Sequence, residues 1–303
     1  MDWGHRYSPL KQRSKSIVKF VSYNIQYGIG QDGRFDPERI AASLRGADVI
    51  ALQEVTRGYE RNGHADLVEI FSALFPDFFC RFGAACDVLV DHHMVEGRLN
   101  ERRFQFGNMV LSRFPIRASR NLLLPRARTF AKLNLQRGAL ETVIETPGGA
   151  LRAYSVHLDH VSPDERMAQI GFLKARACGF LEEGGALTGA SEFAVTDPPS
   201  PAEFLIMGDF NMEPERPEYI AMTGVADAYY GRAPRAGFPT DAQAHLNSRA
   251  SDSYSWISED GARRMHLDYC FVSGGLAQRL KTAWVDTKAT GSDHLPVWTE
   301  LAW

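Results

Sequence analysis

The sequence predicts an α/β protein in which strands and helices alternate along the chain. The chain has 303 residues, of which 44% are apolar, so it is long enough to bury a large core. Apolar, β-branched runs of strand length recur between segments with helical periodicity. The first of these runs follow the order strand, helix, strand, which is typical of a buried sheet covered by helices.

The first strand-like run is IVKFVSYNI, residues 17–25. The helix that follows lies in DPERIAASLRG, where Asp36 is a suitable N-cap, the proline after it fits the first helical position, and Gly46 ends the pattern. A second near-continuous apolar strand, DVIALQEV, comes next. The stripe of apolar residues before Pro76 then predicts another helix.

Strands also dominate the middle of the chain. NMVLSRFPI, GALETVIET and LRAYSVHL are β-rich, and a Pro-Gly-Gly turn joins the last two as a hairpin. The capping box at Ser162 starts a longer helix. Its buried face is predicted to hold Ile170, Leu173, Ala177 and Leu181.

The chain is predicted to form a single domain over residues 17–303, preceded by an N-terminal extension over residues 1–16. Residues 182–203 are rich in Gly, Ala, Ser and Pro, and we expect them to form a flexible surface loop. A domain boundary there is less favoured, because the strand EFLIMGDF follows at once and needs sheet neighbours.

Composition excludes several classes of protein. The net charge of -3 gives no general electrostatic attraction for nucleic acid. The four cysteines have neither zinc-site spacing nor the density of a disulfide framework. The N-terminus lacks an apolar signal core, and no apolar run reaches the ~18 residues of a membrane span. We therefore expect a cytoplasmic protein without a transmembrane segment, and a monomer.

One glycine motif suggests a dinucleotide site. Gly28, Gly30 and Gly33 spell GxGxxG after a strand, and Glu54 lies at the end of the next strand. In such a site the helix begins among the glycines, so that its N–H groups meet the pyrophosphate. Here the helix start at Asp36 lies beyond them, which favours an ordinary turn.

Polar residues interrupt the apolar runs where strands are predicted to end. A buried carboxylate without a partner is costly, so such groups are expected to converge on one another, on a cation, or on both. The residues concerned are Asn24, Glu54, His157, Asp209, Asn211, Asp268, Asp293 and His294.

This set fits metal-assisted hydrolysis of a phosphate ester. Oxygen ligands without cysteine favour a hard cation, and Mg²⁺ uses one or two carboxylates together with water and phosphate oxygens. Glu54 and Asp293 are candidate anionic ligands, and Asn24 is a neutral one. His157 and His294 add groups that titrate near neutral pH.

The ordered motifs SYNIQYG, ALQEV, GNMVLSRFPI, SVHLDH, MGDFNMEP, HLDYCFVS and GSDHLPVW resemble the endonuclease/exonuclease/phosphatase superfamily over roughly residues 17–303. Single motifs such as LQEV are weak signals, whereas GDFN followed by DY and a terminal SDH is specific. The resemblance implies a four-layer α/β/β/α sandwich, in which two mixed sheets pack face to face with helices outside, and a site at one edge of the sheets.

The resemblance also implies roles for the metal ligands and the acid–base groups. Glu54 looks like the principal ligand of Mg²⁺ or Mn²⁺, with Asn24 and Asp293 beside it. Asp209 and Asn211 look like the pair that positions or deprotonates the attacking water and binds phosphate.

The remaining roles concern the histidines and the phosphate. His294, oriented by Asp268, would stabilise or protonate a phosphate oxygen or act as the base. His157 falls where family members place a phosphate-contacting residue. Asn108 matches a second position near the phosphate, whereas Arg137 and Glu141 in QRGALE match more loosely. The implied mechanism is in-line attack by water, without a covalent enzyme intermediate.

Each residue also has a purely structural interpretation. Asn24 and Asn211 are residue types that cap turns, a lone sheet histidine such as His157 is more often satisfied within the core, and Asp268 could be an ion-pair partner. The whole set, in family order, favours the functional interpretation.

The substrate stays open at this stage. The sequence favours a phosphodiesterase acting on an unidentified phosphate ester over a DNA or RNA endonuclease or exonuclease, because an aromatic and basic stripe for single strands is not evident. A phosphomonoesterase and a catalytically silent binding module are further alternatives. Residues 86–106 are expected to form a mobile polar loop near the site mouth. His160 and the pair His92-His93 lack a convincing third metal ligand.

Overall fold

The structure, a computed structural model, describes residues 16–303 and contains two mixed six-stranded sheets. The strands are numbered in chain order. From one edge to the other, the first sheet consists of β13 (Leu280–Val285), β14 (Val297–Ala302), β1 (Ile17–Asn24), β2 (Val49–Arg57), β4 (Arg98–Ser112) and β3 (Phe79–Val95). The second sheet consists of β5 (Ile116–Leu123), β6 (Gly138–Thr146), β7 (Gly149–His157), β8 (Phe204–Asp209), β12 (Asp268–Val272) and β9 (Thr240–Asp241).

Shorter elements complete the chain. A two-stranded ribbon forms from β10 (Trp256–Ile257) and β11 (Arg264–Met265). The helices are α1 (Pro37–Ser43), α2 (Leu67–Leu74), α3 (Pro163–Cys178), α4 (Phe180–Glu183), α5 (Pro217–Thr223) and α6 (Ala242–His245). Within the described residues, no helix has both the length and the apolar character needed to cross a membrane.

Three buried cores define the layers. The central core joins the two sheets and contains Phe20 and Val49 from the first sheet and Leu140 and Met207 from the second. A second core lies between the first sheet and helices α1 and α2. A third core packs α3 and α5 on the outer face of the second sheet. The predicted four-layer α/β/β/α sandwich is therefore confirmed.

The helix starts follow the predicted capping chemistry. Asp36 Oδ1 accepts a hydrogen bond from the Arg39 N–H at 3.0 Å, and Ser162 Oγ accepts one from the Glu165 N–H at 3.2 Å. The prediction that Leu181 lies on the buried face of α3 is wrong. That helix ends at Cys178, and Leu181 is exposed in the separate short helix α4.

The composition of the stretch NMVLSRFPI predicted a single strand, but the structure divides it between two strands. Strand β4 ends at Ser112, and β5 begins at Ile116 in the other sheet. Pro115 lies in the break, where a proline cannot supply a ladder N–H. The chain thus passes from the first sheet to the second at this point.

Residues 86–106 form most of a long β-hairpin rather than the predicted mobile loop. Strands β3 and β4 remain paired from Phe79 to Val95, and the hairpin turns at Glu96-Gly97, where both residues have positive φ. The cross-strand bond from Arg103 Nε to Asp87 Oδ1, at 2.6 Å, supports the pairing. The charged residues that favoured a loop are the exposed side chains of this ribbon, which we call the hairpin arm.

Candidate active site

The predicted polar residues meet where strands of both sheets end. In the second sheet, Asp209 on β8 is the register partner of His157 on β7 and of Asp268 on β12. Asn24 ends β1 in the first sheet, and its Nδ2 donates to Asp209 Oδ2 at 3.0 Å. This bond joins the two sheets at the edge of the sandwich.

Glu54 reaches the same place from an irregular position in β2. The pairing of β2 with β4 shifts register between Leu52 and Val55, and Glu54 has a φ of 59°. Such a bulge re-aims a side chain, and positive φ in a residue other than glycine is a strain found at functional sites. Asn24 Nδ2 donates to Glu54 Oε1 at 3.2 Å.

The electrostatic environment of Glu54 is unfavourable for a carboxylate. Burial, followed by the negative charge of Asp293, raises the pKa of Glu54 to about 7. Both residues line one cleft of about 470 Å³. Two carboxylates in a shared cleft are stabilised when a cation lies between them.

The segment that carries Asp293 is held by the ribbon β10–β11. Trp256 Nε1 donates to Asp293 Oδ2 at 3.0 Å, and the Ile257 N–H donates to the Asp293 carbonyl at 2.9 Å. Trp256 also forms an isolated β-bridge with His294. The motif GSDH is thereby fixed beside the final strand.

His294 lies between two carboxylates. Its Nδ1 is 2.8 Å from Asp268 Oδ2, and its Nε2 is 3.6 Å from Asp209 Oδ2. Burial alone would lower the pKa of His294, but Asp268 and Asp209 raise it well above its usual value. The imidazolium can donate hydrogen bonds through both ring nitrogens.

Asp209 combines the properties of a base with those of a fixed acceptor. Burial, opposed by the positive charge of His294, raises the pKa of Asp209 to about 6. The Asn211 N–H donates to Asp209 Oδ1 at 2.9 Å, and Asn211 itself has a φ of 50°. Asn211 Nδ2 donates to the carbonyl of Leu158 at 3.1 Å. The carboxylate is therefore held in one orientation.

Arg137 is a residue that sequence reasoning matched only loosely. Arg137 is 4% exposed, and its guanidinium lies between two imidazoles: Nη1 is 3.0 Å from His157 Nε2, and Nη2 is 2.8 Å from His160 Nδ1. No carboxylate lies within 4.0 Å of it among residues 16–303. This buried cation faces the cleft without an ion-pair partner.

The contact with Arg137 fixes the state of His160. A guanidinium has only donors, so His160 Nδ1 accepts and the ring is neutral with its proton on Nε2. Burial, followed by the charge of Arg137, lowers the pKa of His160 in agreement with this tautomer. The pKa of His157, which lies 3.3 Å from Asp209, is lowered well below its usual value by the same two causes.

Asn108 occupies a different position from the other predicted residues. It is buried on β4 and does not line the cleft. Its Nδ2 donates to the Gly138 carbonyl at 2.8 Å. This bond fixes the start of β6, directly after Arg137. Glu141, which also matched loosely, is bound by Arg120 at 2.7 Å and by Tyr154 at 2.6 Å.

The ligand types in the cleft fit a hard divalent cation. Glu54 and Asp293 offer carboxylate oxygens, and cysteine is absent from the residues that line the cleft. Asn24 Oδ1 accepts from the Gln26 N–H at 3.1 Å, so the amide nitrogen of Asn24 faces the carboxylates. Among the described residues, Asp209, Asp268 and His294 have ligand atoms within 4.8 Å of one another, which is a spacing that could hold a metal ion.

Solved structures share this fold at low sequence identity. A protein described as endonuclease/exonuclease/phosphatase from Beutenbergia cavernae has a TM-score of 0.58 and 20% identity, over 94% of this chain and 71% of that one. The corresponding Bacteroides vulgatus structure has a TM-score of 0.61 and 15% identity, over 94% and 98% of the two chains. Truncated Caenorhabditis elegans TDP2 has a TM-score of 0.59 and 15% identity, over 94% and 97%.

The curated proteins contain no match to this sequence. The model of the Endonuclease/Exonuclease/phosphatase family, in contrast, matches residues 21–294. That range includes the polar residues of the site from Asn24 to His294. The chain therefore belongs to the endonuclease/exonuclease/phosphatase family.

Proposed function

We propose that this member of a family of phosphoesterases and nucleases is a divalent-metal-dependent phosphodiesterase that uses water as its nucleophile. The observation that carries the proposal is the pair Glu54 and Asp293. Glu54, whose ionisation is disfavoured first by burial and then by the charge of Asp293, shares a cleft with Asp293, a buried base, Asp209, and an imidazolium, His294. Hydrolysis of a phosphate ester uses each of these groups.

The residues proposed to hold Mg²⁺ or Mn²⁺ are Glu54 and Asp293. Asn24 was predicted as a neutral ligand, but its Oδ1 accepts from the Gln26 N–H, and its Nδ2 instead orients the Glu54 carboxylate. When bound, the ion would polarise a phosphoryl oxygen and stabilise the departing alkoxide. The alternative grouping is less suitable, because Asp268 Oδ2 is already bonded to His294 Nδ1 at 2.8 Å and to Ser255 Oγ at 2.7 Å. Those bonds serve to orient an imidazole.

The other residues of the cleft are proposed to move the proton and hold the phosphoryl group. Asp209 orients the attacking water and accepts its proton, because its pKa of about 6 lets it act as a base near neutral pH. His294 donates a hydrogen bond from Nε2 to a phosphoryl oxygen. Asn211, His157 and Arg137 surround the remaining phosphoryl oxygens. The phosphate contact predicted for Asn108 stays a prediction, since Asn108 does not line the cleft and its amide nitrogen is engaged by Gly138.

A diester is favoured over a monoester by the apolar side chains that accompany the polar centre. Tyr27 and Phe106 line the cleft near Glu54 and His157, and Met265 and Leu267 line it together with Asn211. A phosphoryl group at the centre can therefore carry an organic substituent toward either set.

A substrate panel tests the proposal. Bis-p-nitrophenyl phosphate, p-nitrophenyl phosphate, plasmid DNA and an RNA oligomer are incubated with Mg²⁺, Mn²⁺ or EDTA. We expect metal-dependent cleavage of the diester and a loss of about a hundredfold or more in Asp209→Asn and His294→Ala. The matched control, His245→Ala, changes an exposed histidine outside the cleft and is expected to retain wild-type rates.

The panel also identifies the alternatives. Preferred cleavage of plasmid or RNA, with binding that weakens steeply with salt, would indicate a nuclease. Preferred cleavage of the monoester would indicate a phosphomonoesterase. Absence of metal-dependent turnover with every substrate would contradict the proposal and favour a silent binding module.

A further inference from the structure

A second cavity continues the site cleft beyond Asn211. Arg166, Asn211 and Met265 line both the cleft and an adjoining cavity of about 490 Å³. The Asn211 N–H is bonded to Asp209 Oδ1, so this cavity opens directly beside the proposed base. A substituent on a phosphoryl group held at the centre would be able to enter it.

The walls of this cavity are rich in methionine. Met167, Met212 and Met265 line it, and these are three of the eight methionines in the chain. Met167 lies on α3 and is 38% exposed, so its side chain is accessible to a ligand that enters this cavity. Unbranched, polarizable methionine side chains adapt to flexible apolar groups. We call this space the methionine cavity.

The charged residues around the methionine cavity are largely paired with one another. Arg166 Nη2 lies 2.8 Å from Glu218 Oε1, and both side chains are largely buried. Arg216 lies 3.6 Å from Glu213. The remaining charged lining residue is Asp164, which is acidic. The cavity therefore offers no unpaired cation for a second phosphate, as a polynucleotide would require.

The methionine cavity also has no aromatic residue among its lining. The aromatic side chains of this region, Tyr27, Phe106 and Trp256, line the site cleft instead. Bases of single-stranded nucleic acids are usually held by stacking on aromatic rings. The chemistry of the cavity thus matches an alkyl chain better than a nucleobase.

We propose that the methionine cavity binds the flexible alkyl group of one alcohol of a phosphodiester substrate. The inference rests on the proposed function, because it places the phosphoryl group at the Glu54–Asp209 centre. Burial of each methylene against the methionines strengthens binding. Complete transfer of one methylene from water to the cavity would raise the binding constant about fourfold.

The probes are butyl, hexyl and octyl phosphate, used as inhibitors of bis-p-nitrophenyl phosphate hydrolysis in the presence of Mg²⁺. In the wild type, we expect the inhibition constant to fall about twofold to fourfold for each added methylene. In Met167→Glu, a carboxylate replaces an exposed wall of the cavity, so the dependence on chain length should be lost. Met94→Glu, on the exposed hairpin arm, is the matched control and should retain the wild-type dependence.

The alkyl group of the inhibitor could instead bind in the site cleft, where Leu133 is exposed. Loss of the chain-length dependence in Leu133→Glu, with retention in Met167→Glu, would overturn the inference. Inhibition independent of chain length in the wild type would also overturn it, while diester hydrolysis in the same assay would leave the proposed function intact.

Binding measured without turnover separates the two proposals. Isothermal titration of octyl phosphate into wild type and Met167→Glu requires no catalysis. Chain-dependent binding that Met167→Glu abolishes would support the methionine cavity even if the diester were not hydrolysed, an outcome that would contradict the proposed function alone. Equal binding of butyl and octyl phosphate would contradict the cavity.

Discussion

Asp268 holds His294 in a single orientation through a bond of 2.8 Å between Oδ2 and Nδ1. Ser255 Oγ donates to the same carboxylate oxygen at 2.7 Å, and all three side chains are buried. The arrangement resembles the carboxylate–imidazole pairs of hydrolytic triads, in which the carboxylate selects the ring orientation and stabilises its positive charge. In this protein it directs Nε2 of His294 toward Asp209.

Replacement of Asp268 by Asn should therefore inactivate the protein without unfolding it. The amide keeps the shape of the side chain but removes the charge that stabilises the His294 imidazolium. We expect kcat to fall by about a hundredfold or more. Steady-state hydrolysis of bis-p-nitrophenyl phosphate, with far-UV circular dichroism as the folding control, measures the effect. Rates within about threefold of wild type would show that Asp268 does not act through His294.

Glu54→Gln should have opposite effects on stability with and without metal. The pKa of Glu54 is raised from 4.5 to about 7, so in EDTA its contribution to stability is lost as the pH rises through that interval. Removal of the charge at pH 8 should raise the free energy of unfolding by about 1–3 kcal/mol. Mg²⁺ should stabilise the wild type, through binding to the folded state, and leave the variant unaffected.

Thermal unfolding in EDTA and across a Mg²⁺ titration measures both effects. Glu259→Gln, at an exposed position outside the cleft, is the matched control and should follow the wild type in both conditions. A Glu54→Gln variant that is less stable than the wild type in EDTA would show that the carboxylate is satisfied without a cation.

Arg137→Lys should impair catalysis although it keeps the positive charge. A lysine cannot reproduce the forked donors that reach His157 and His160 together. Loss of one charge-assisted hydrogen bond predicts a decrease of about tenfold in kcat/KM. Imidazole ¹⁵N spectra should place the His160 proton on Nε2 in the wild type and show a mixture of tautomers in Arg137→Lys. A wild-type spectrum with the proton on Nδ1 would contradict the deduced hydrogen-bond direction.

We expect the protein to lose stability in mild acid because of His266, a buried residue that does not line the cleft. Burial, followed by the charge of Arg249, lowers the pKa of His266 to about 3. The unfolded chain binds a proton near pH 6.5 and the folded chain does not, so stability falls as the pH drops below that value. Between pH 7 and pH 5.5, protonation of this residue in the unfolded chain should lower the free energy of unfolding by about 1 kcal/mol. Urea unfolding in EDTA measures this change.

His266→Gln should lose that part of the pH dependence, because glutamine does not titrate. His245→Gln, at an exposed histidine, is the control and should keep the wild-type dependence. The same pH dependence in wild type and His266→Gln would indicate that the buried ring is protonated in the folded state.

The strand-end residues of the site were predictable because each one interrupts an apolar run. Asn24, His157 and Asp209 stand where their strands end, whereas Glu54 lies at a bulge within β2, which continues to Arg57; the structure brings all four together. Arg137 and its contact with His160 were not predictable in the same way. The pairing depends on how the loop after β7 folds back over the start of β6, which leaves no periodic signal in the sequence.

Departures from the predicted elements have similar local causes. The hairpin arm was interpreted as a loop because its side chains are mostly polar, whereas its backbone pairs across the ribbon and needs no buried face. Leu181 fits the helical periodicity of α3, but the helix ends three residues earlier, at Cys178, before a glycine. Periodicity locates strands and helices well, and it gives little information on where an exposed element ends.

The position of a bound Mn²⁺ ion in a crystal of the wild-type protein tests the central claim most directly. Anomalous scattering identifies the ion without reference to activity. We predict a peak between the carboxylates of Glu54 and Asp293, and its loss in Glu54→Gln crystals soaked under the same conditions. A peak among Asp209, Asp268 and His294, with none beside Glu54, would contradict this account.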